Sequence, residues 1–278
     1  MPPQHETSGP HKRRWLLCFV VLAVIAVILI VIVLQHTARP RVIDLQVDQD
    51  FPAGMVYRSF RWRIPDRDTA TQFHVVTVPL SRVRADLWFH PAGTESDQSL
   101  NITDVCSQAN ALFAINGGYF TDEFLPAGLA VDDAVEIAPL SGEPVQSGVV
   151  AIDASGMIEL QHSSSVSVSH DAIQSGPFLI DPGGVIGIHS DDQRMQRRSV
   201  IALGRDGELV LMTADAISLF QLAQLLHSRP ELFGVTSFDR ALNLDGGPSS
   251  AFCIAEHRQD IVVQAAGPVH NFILFYVR

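Results

Sequence analysis

The sequence predicts an α+β fold with a large mixed or antiparallel sheet core and two or three helices, preceded by one N-terminal transmembrane helix. Three observations support this. Beyond residue 56, short apolar or alternating stretches are broken by Gly, Pro, Asn and Asp, as in strands and turns. Helical spacing of apolar residues is clearest at residues 101–111 and 218–227. An apolar run near the N-terminus is long enough to cross a membrane.

The composition limits the class of protein. The chain has 278 residues, enough for one large domain or two small ones. Its residues are 47% hydrophobic and only 18% charged, which is apolar for a soluble protein and indicates a membrane segment. The formal net charge of −11 argues against binding to nucleic acid, because such binding needs basic patches that displace counterions. We expect no nucleic-acid partner.

The segment from Trp15 to Leu34 is uninterrupted apolar sequence. A run of about 20 residues, at 1.5 Å per residue, spans the ~30 Å hydrocarbon core of a bilayer. Lys12, Arg13 and Arg14 precede it and favour a cytoplasmic N-terminus. A cleaved signal peptide is the rival interpretation, but its apolar part is normally shorter and ends at small residues. We therefore expect an uncleaved signal anchor.

These signals predict a single-pass membrane protein whose N-terminus is cytoplasmic and whose folded domain is periplasmic or extracellular. The apolar segment is then the part of the chain that contacts the membrane. The predicted divisions are a cytoplasmic N-terminus at 1–14, the signal anchor at 15–34, a polar stalk at 35–55 and one folded domain at 56–278.

The predicted domain opens with three strands, at residues 57–64, 73–78 and 85–90. His74 and His90 lie on these strands and could be ligands, but a strand histidine is more often a half-buried polar residue. We expect that second state for both.

Two hairpins and one interrupted strand are predicted further along. The hairpin turns lie at residues 154–156 and 205–207, each between apolar runs. Pro177 falls inside the apolar segment 172–180, and proline removes a donor from a strand ladder. That segment is therefore an edge, a bulge or a bend facing substrate. Ser218 begins a capping box, which predicts a helix through His227.

The cysteines Cys18, Cys106 and Cys253 are scattered and form no CxxC pair. Cys18 lies in the apolar run, which leaves one possible disulfide, between Cys106 and Cys253. Nothing in the spacing demands that bridge, so we favour buried free thiols.

Two apolar strands end in a similar way. One ends in Asn116-Gly117-Gly118, and the other ends in Asn243-Leu244-Asp245-Gly246-Gly247. Asp-Gly between apolar runs is a common hairpin signal. However, Asn and Asp at the exit of a buried strand are costly unless their side chains are paired or used. Two turns of this design in distant parts of the chain suggest paired loops around one site.

Three arginines, Arg194, Arg197 and Arg198, form the one locally basic patch. A solvated charged loop is the common explanation of such a patch. However, Arg198 leads directly into the apolar strand 200–204. An arginine at the mouth of a core strand is well placed to bind an anionic ligand with its planar fork of donors.

The order of four motifs resembles the phosphodiester glycosidase family, over roughly residues 70–278. The motifs are Asn116-Gly117-Gly118-Tyr119-Phe120, Gln174-Ser175-Gly176-Pro177, Arg198-Ser199 and Asn243-Leu244-Asp245-Gly246-Gly247-Pro248-Ser249-Ser250. The resemblance implies a hydrolase that cleaves a sugar-1-phosphodiester at the glycosidic C–O bond. A phosphorylated glycan in exopolysaccharide or other glycan metabolism is the implied partner.

The resemblance also implies roles for individual residues. Asp245 would act at the anomeric carbon as base or nucleophile, Arg198 would bind the phosphate, and His270 would be a second acid or base. Backbone N–H groups of Gly117, Gly118, Gly246 and Gly247 would assist Arg198. Asn116, Asn243, Gln174 and Ser175 would orient sugar hydroxyls, and Tyr119, Gly176 and Ser249 complete the substrate-binding set.

The chain departs from the family pattern at Pro248, where relatives usually have a third glycine, and in lacking a basic residue near Gly267-Pro268-Val269. The first departure leaves a second hypothesis: an inactive polysaccharide-binding or assembly factor with the same pocket.

A metal-dependent phosphodiesterase that uses Asp245, Asp239 and Asn243 as oxygen ligands ranks lower, because the sequence has no DxH or HD cluster. No residue pattern indicates a metal. A divalent cation such as calcium is compatible with the sequence, but we expect no cofactor.

Overall fold

Strands dominate the described part of the chain, as the turn-rich sequence predicts. The chain divides into two compact units, residues 1–43 with 62–70 and residues 44–61 with 71–278. The candidate site described below lies within the second unit. The computed structural model describes residues 15, 19–30, 40–64, 69–89, 101–168, 170–255 and 261–278.

The described strands form three sheets. In chain order they are β1 (Arg41–Asp48), β2 (Val56–Arg63), β3 (Thr71–Pro79), β4 (Val83–Phe89), β5 (Phe113–Asn116), β6 (Ala130–Asp132), β7 (Val135–Ala138), β8 (Gly148–Ile152), β9 (Ile158–His162), β10 (Asp171–Ser175), β11 (Phe178–Asp181), β12 (Val185–Ile186), β13 (Gln196–Gly204), β14 (Glu208–Ile217), β15 (Phe238–Asn243), β16 (Phe252–Ile254), β17 (Ile261–Val263) and β18 (Asn271–Val277).

Sheet A has eight strands in the order β1-β2-β3-β14-β13-β15-β11-β12. Sheet B has the order β17-β16-β5-β18-β4, and sheet C has the order β7-β6-β10-β8-β9. Neighbouring strands from β3 to β12 in sheet A, and throughout sheets B and C, pair antiparallel. The large antiparallel sheets and the α+β class are confirmed. Both predicted hairpins form, as the pairs β8–β9 and β13–β14.

One apolar core is shared by the three sheets. Leu211 and Leu242 contribute to it from sheet A, Phe113 and Phe275 from sheet B, and Ile173 from sheet C, all essentially inaccessible to solvent. On β4 and β9, alternate side chains point into this core, as expected for strands with one buried face. Because three sheets bury a common face, the ends of their strands are brought close together.

Three α-helical segments occur in the described residues: α1 at residues 19–30, α2 at Ile102–Gln108 and α3 at Leu219–Ser228. The Asn101 side chain caps α2 by accepting a hydrogen bond from the Thr103 N–H at 2.9 Å. Ser218 caps α3 by accepting from the Gln221 N–H at 3.2 Å. The two helices predicted in the domain are thus confirmed, and the capping residue marks the start of α3 as expected.

The chain leaves one sheet and enters another at Pro177. Strand β10 belongs to sheet C and ends at Ser175, and β11 belongs to sheet A and begins at Phe178. The cis peptide between Gly176 and Pro177 joins them. Among the alternatives for this proline, the structure therefore shows a bend.

The folded part begins earlier than the sequence suggests. Residues within the predicted stalk 35–55 form β1, and Phe51 and Met55 pack into the shared core. The boundary at residue 56 was wrong because the polar composition of this segment hid two apolar side chains that the core buries.

The membrane prediction concerns α1 and its flanks. In the described residues, no helix combines the length and the apolar character needed to cross a bilayer. Residues 16–18 and 31–34 of the expected span, like all of residues 1–14, lie outside the described residues. The signal anchor stays a prediction.

Cys106 and Cys253 are buried free thiols, as favoured from their spacing. Cys18 and His90 lie outside the described residues. His74 is half-buried on β3, and its Nδ1 lies 2.7 Å from the Tyr57 hydroxyl oxygen, in agreement with the expected structural state.

Candidate active site

The candidate site lies where strands from all three sheets end. Asn116 is the last residue of β5 in sheet B, Ser175 the last of β10 in sheet C, and Asn243 the last of β15 in sheet A. Hydrogen bonds across these ends bring the turns together. The sequence motifs that follow each strand therefore meet, although they are far apart along the chain.

The two Gly-Gly turns are joined directly by two hydrogen bonds. The Asp245 N–H donates to the Gly117 carbonyl at 2.9 Å, and the Asn116 amide Nδ2 donates to the Asp245 carbonyl at 2.7 Å. The expectation that both turns surround one place in the fold is met. The backbone that carries the Asp245 carboxylate is thereby held by the other turn.

Asn116 is fully buried, and its amide is used within the protein. Its Oδ1 accepts from the Ser199 hydroxyl at 2.6 Å and from the Ala251 N–H at 3.0 Å. These two acceptor contacts settle which way the amide points and direct Nδ2 at Asp245. The observed function of Asn116 is to fasten the turns; its predicted contact with a sugar hydroxyl stays a prediction.

Asp245 is the one carboxylate of the two turns, and burial raises its pKa from 3.8 to about 6. The Ser249 side chain and the Gly246 N–H, which donates to Oδ1 at 2.8 Å, oppose that rise by hydrogen bonding to the carboxylate. A carboxyl group with a pKa close to neutral can take up and release a proton at working pH. This suits a base or nucleophile at a reacting carbon.

Tyr119 and Asn243 form a polar cluster beside that carboxylate. The Tyr119 hydroxyl donates to the Gly176 carbonyl at 2.5 Å, and the Asn243 Nδ2 donates to the same carbonyl at 2.8 Å and to the Tyr119 oxygen at 3.1 Å. Burial, followed by the negative charge of Asp245, raises the pKa of Tyr119 to about 12. The phenol therefore stays protonated and fixes the Gly176 bend to β15.

Arg198 reaches the same cluster from sheet A. The register of β13 against β14 shifts between Gln196 and Arg198, and such a bulge redirects a side chain. Arg198 is buried, with Nε donating to the Ile217 carbonyl at 3.1 Å and Nη2 to the Arg194 carbonyl at 2.8 Å. Burial lowers its pKa, and the electrostatic influence of Tyr119 opposes that. These bonds use two of the five guanidinium N–H groups and fix the direction of the other three.

Gly246, in the turn that carries Asp245, packs against the strand that carries Arg198. A methyl group on Gly246 would come within 2.8 Å of the Arg197 carbonyl oxygen and 3.9 Å of Arg198 Cδ. Only glycine lets the turn lie this close to β13. The charges of Asp245 and Arg198 both act on the pKa of Tyr119, so both side chains lie within electrostatic reach of its hydroxyl.

The structure corrects two of the backbone contacts expected for a phosphate. The Gly117 N–H donates to the Asn271 carbonyl at 3.0 Å, and the Gly246 N–H donates to Asp245. Each N–H has a single proton, so neither is available as the resemblance implies. The expected contacts from Gly118 and Gly247 stay predictions.

Gln174 is also corrected. Its Oε1 accepts from the Leu129 and Ser141 N–H groups at 2.9 and 2.8 Å. Its Nε2 donates to the Ser141 and Gln146 carbonyls at 3.0 and 2.8 Å. Two donors and two acceptor contacts satisfy the amide, so Gln174 holds the neighbouring loops and has no hydrogen-bonding position left for a sugar.

Some buried polar atoms at the strand ends have no protein partner in the described part of the chain. They are Ser175 Oγ at the end of β10, Asn243 Oδ1 at the end of β15 and Asn271 Oδ1 at the start of β18. Buried polar groups are usually hydrogen-bonded, because an unmade bond is costly. Each of these atoms lies at the end or start of a strand that adjoins the candidate site.

The comparison with known families bears on these residues. The family model described as "Phosphodiester glycosidase" matches residues 109–276, which is more than half of the chain. The chain belongs to the phosphodiester glycosidase family. The matched region contains both Gly-Gly turns, the Gly176 bend and Arg198. The activity of this family accordingly concerns phosphodiester-linked sugars.

Individual relatives support the fold more than the activity. The uncharacterized protein YigE of Escherichia coli K12 is 26% identical over 174 residues, covering 58% of this chain and 67% of YigE. A hypothetical protein from Synechocystis has a similar crystal structure, with a TM-score of 0.60, 17% identity, and coverage of 85% of this chain but only 64% of that protein.

The zebrafish N-acetylglucosamine-1-phosphodiester α-N-acetylglucosaminidase catalytic domain, auto-inhibited by its pro-peptide, is also similar. Its TM-score is 0.55 at 17% identity, with 86% of this chain and 83% of that one covered. At these identities the solved structures show that this member of the family shares their fold.

Pro248, the departure from the family pattern, is tolerated by the turn. It is the second residue of the short 3-10 turn Gly247–Ser249, in the first turn of the helix, where a backbone N–H needs no partner. Its carbonyl accepts from the Ala266 and Gly267 N–H groups at 2.7 and 3.1 Å. Ser249, which hydrogen-bonds to Asp245, is buried directly behind it.

His270 lies in an aromatic cluster. Its ring centroid is 4.6 Å from that of Phe120 and 4.2 Å from that of Phe124. The next residue, Asn271, donates from Nδ2 to the Gly118 carbonyl at 3.3 Å, so His270 is tied to the first Gly-Gly turn. Its acid–base role stays a prediction.

Sequence reasoning missed Asn271 and Phe124. Asn271 contacts both glycines of the first turn, and a methyl group on Gly117 would lie 2.2 Å from its Oδ1. Phe124 is a lone aromatic residue in a loop. The available signal for Asn271 was its place at the start of the last strand, because the other polar motifs also lie at the ends of strands.

The groups that could hold a metal lie apart from this cluster. In the described residues, Asp133, His170 and Asp171 are the acidic and histidine side chains whose ligand atoms come within 4.8 Å of one another. Asp239 pairs with Arg240 at 2.6 Å, and that set does not include Asp245.

Proposed function

We propose that this chain is a hydrolase that cleaves a sugar-1-phosphodiester at the glycosidic C–O bond, releasing a free sugar and a phosphomonoester. Membership of the phosphodiester glycosidase family supports a substrate with a phosphodiester-linked sugar. The observation that carries the proposal is that the buried carboxyl group of Asp245 and the buried Arg198 both lie within electrostatic reach of the Tyr119 hydroxyl. A carboxylate and a guanidinium are the pair that this bond cleavage needs.

The proposed reaction follows from that arrangement. Asp245 takes a proton from water as the water oxygen attacks the anomeric carbon, or attacks that carbon itself before water completes the reaction. The bond between the anomeric carbon and the phosphate oxygen breaks, and its electron pair stays on the phosphate. Arg198 stabilises that developing negative charge. Because a phosphodiester is already a fair leaving group, charge stabilisation matters more than protonation of the leaving oxygen.

A second candidate is a glycan-binding or assembly factor without turnover. Pro248 favours it, because the chain has no N–H at a position where the family usually has glycine. This candidate would bind a phosphorylated glycan in the same pocket and release no product.

We also propose that the protein is anchored by residues 15–34 and acts outside the cytoplasm, in the metabolism of exopolysaccharide or another glycan. The apolar run and the basic residues before it support this. Retention of the full-length chain in carbonate-washed membranes, and release when residues 15–34 are deleted, is the expected result.

The decisive experiment measures product release from a panel of sugar-1-phosphodiesters, including UDP-sugars and a methyl phosphodiester of N-acetylglucosamine 1-phosphate. We expect the full-length chain to release free sugar, and Asp245→Asn to lower kcat by about 10³-fold. The matched control is Asp239→Asn, at the other end of β15, which removes a carboxylate paired with Arg240 and leaves kcat within about twofold of wild type.

Undiminished turnover by Asp245→Asn would rule out the proposed chemistry. Saturable binding of a panel member by the wild-type chain, with no sugar released, would instead establish the second candidate.

A further inference from the structure

The loop that follows the first Gly-Gly turn is short and tightly held. The Thr121 N–H donates to the Leu125 carbonyl at 2.8 Å, and the Phe124 N–H donates to the Thr121 carbonyl at 2.9 Å. At its base, the Ala127 N–H donates to the Tyr119 carbonyl at 2.9 Å. The loop therefore begins at Tyr119, whose hydroxyl contacts Asn243, and its last residue Ala127 lies beside Tyr119 again.

Phe124 occupies an unusual backbone conformation in this loop. Its φ is +63°, in the left-handed region that bulky side chains rarely adopt. Such strain persists only where surrounding contacts over-determine it, and it is concentrated at ligand-binding sites. Here the loop hydrogen bonds hold the strained residue and direct its ring towards Phe120 and His270.

Three aromatic rings are thereby assembled into one surface. The Phe120 and Phe124 rings are stacked with centroids 6.0 Å apart and planes 21° from parallel, and His270 packs against both. All three side chains are only partly buried. Two nearly parallel phenyl rings that stay accessible to solvent expose apolar area that the core could have buried.

This aromatic surface is linked to Asp245 through the chain that contacts Ser249. His270 follows the Pro268-Val269 segment, and the Pro268 carbonyl lies 3.4 Å from the hydroxyl oxygen of Ser249, the residue that hydrogen-bonds to Asp245. The Arg198 guanidinium is instead held towards the Ile217 and Arg194 carbonyls of sheet A and its preceding loop. The aromatic rings and the guanidinium thus belong to different elements, and the rings are linked to Asp245 through the Pro268–Ser249 contact.

We propose that Phe120 and Phe124 are specificity-determining residues that stack against the apolar face of the pyranose ring whose anomeric carbon lies at Asp245. The C–H bonds on one face of a pyranose are weakly positive, and an aromatic face is weakly negative, so the two attract. This inference rests on the proposed function for the position of the sugar. It adds that sugar and phosphate are recognised by separate groups, the phenyl rings and Arg198.

The test separates the two recognitions. Affinities of the full-length chain for glucose, mannose and N-acetylglucosamine, and for methyl phosphate, are measured by NMR titration. We expect Phe124→Ala to weaken the binding of the preferred sugar about tenfold and to change the affinity for methyl phosphate less than twofold. Arg198→Lys should show the opposite pattern, because the planar fork is lost while the phenyl rings remain.

Two further variants control for structure. Leu125→Ala removes an exposed apolar side chain from the same loop, 58% accessible, and should change neither affinity. Phe124→Tyr keeps an aromatic ring and should retain sugar binding, whereas Phe124→Leu keeps apolar bulk without the ring and should not. Retention of sugar affinity by Phe124→Leu would overturn the stacking proposal.

The outcomes also distinguish this inference from the proposed hydrolysis. Sugar binding that depends on Phe124 in a chain that hydrolyses no substrate would support the aromatic site and refute the proposed function. Hydrolysis by wild type, together with unchanged sugar affinity in Phe124→Ala, would support the proposed function and refute the aromatic site. Equal loss of sugar and phosphate affinity, or no binding of any of the three sugars by wild type, would overturn the inference.

Discussion

The two Gly-Gly turns look alike in sequence but do different work in the structure. In the first turn the glycines are required by crowding, since a methyl group on Gly118 would lie 2.4 Å from the Gln174 carbonyl oxygen. In the second turn Gly247 has φ of +59°, and nothing lies within 4 Å of where its Cβ would be. The first turn is crowded by backbone at Gly118, whereas the second turn is crowded at Gly246 and open at Gly247.

The asparagines differ in the same sense. Asn116 uses its amide to fasten one turn to the other. Asn243 leaves Oδ1 buried and without a partner in the described residues. Similar motifs therefore divide into one whose amide fastens the fold and one that leaves a buried amide oxygen without a partner in the described residues, and the packing around each motif decides the difference. The predictions below test that division.

The largest expected effect is on the crowded turn. Gly118→Ala should lower the free energy of unfolding by about 3 kcal/mol, because the clash is with backbone that cannot rotate away. Gly247→Ala should cost only about 1 kcal/mol, from the left-handed φ alone. Chemical denaturation of both variants measures the difference. Equal costs would show that the two turns are packed alike.

The next effect concerns the ionisation of Asp245. Its pKa is raised to about 6 by burial, so ionisation costs folding energy, and the domain loses stability as pH rises from about 4 through 6. Asp245→Asn avoids that cost. It should match wild type in stability at pH 4 and exceed it by about 2 kcal/mol at pH 8.

The same group should govern the pH dependence of turnover, since a base or nucleophile must be ionised. Wild-type kcat/KM is expected to fall as pH drops through about 6. Thermal unfolding and rate profiles across pH 4–8 check both statements. A wild-type stability curve parallel to that of Asp245→Asn would contradict the raised pKa.

The smallest effect is expected at Pro248. Pro248→Gly should lower the unfolding free energy by about 0.5 kcal/mol, because the variant has a more flexible unfolded chain. We expect its KM for a sugar-1-phosphodiester to stay within about threefold of wild type, since the turn already accommodates proline. A larger fall in KM would show that the restored N–H contacts phosphate.

Much of the fold could be predicted because its signals are local. The alternation of Phe73–Val78, the turns at 154–156 and 205–207 and the Ser218 cap each specify an element from a few neighbouring residues. The end of the stalk was misplaced because Phe51 and Met55 are single apolar residues whose burial depends on strands far along the chain.

The sequence named residues of the candidate site better than it predicted their contacts. The motifs named Asp245, Arg198 and the two turns, because glycine pairs and strand-end carboxylates are visible in a sequence. They did not reveal that Gln174 is satisfied by loop backbone, that the Gly117 N–H is taken by Asn271, or that Phe124 stacks with Phe120. Those facts are contacts between segments that no local pattern encodes.

The sequence by itself determined the α+β class, the two helices of the domain, the free thiols and the membership of both Gly-Gly turns in one family pattern. Only the tertiary structure decided which contacts each turn makes. The reason is physical: a glycine, an amide or a carboxylate has the same chemistry wherever it occurs. Its function depends on which strand ends three sheets bring against it when they bury a common core.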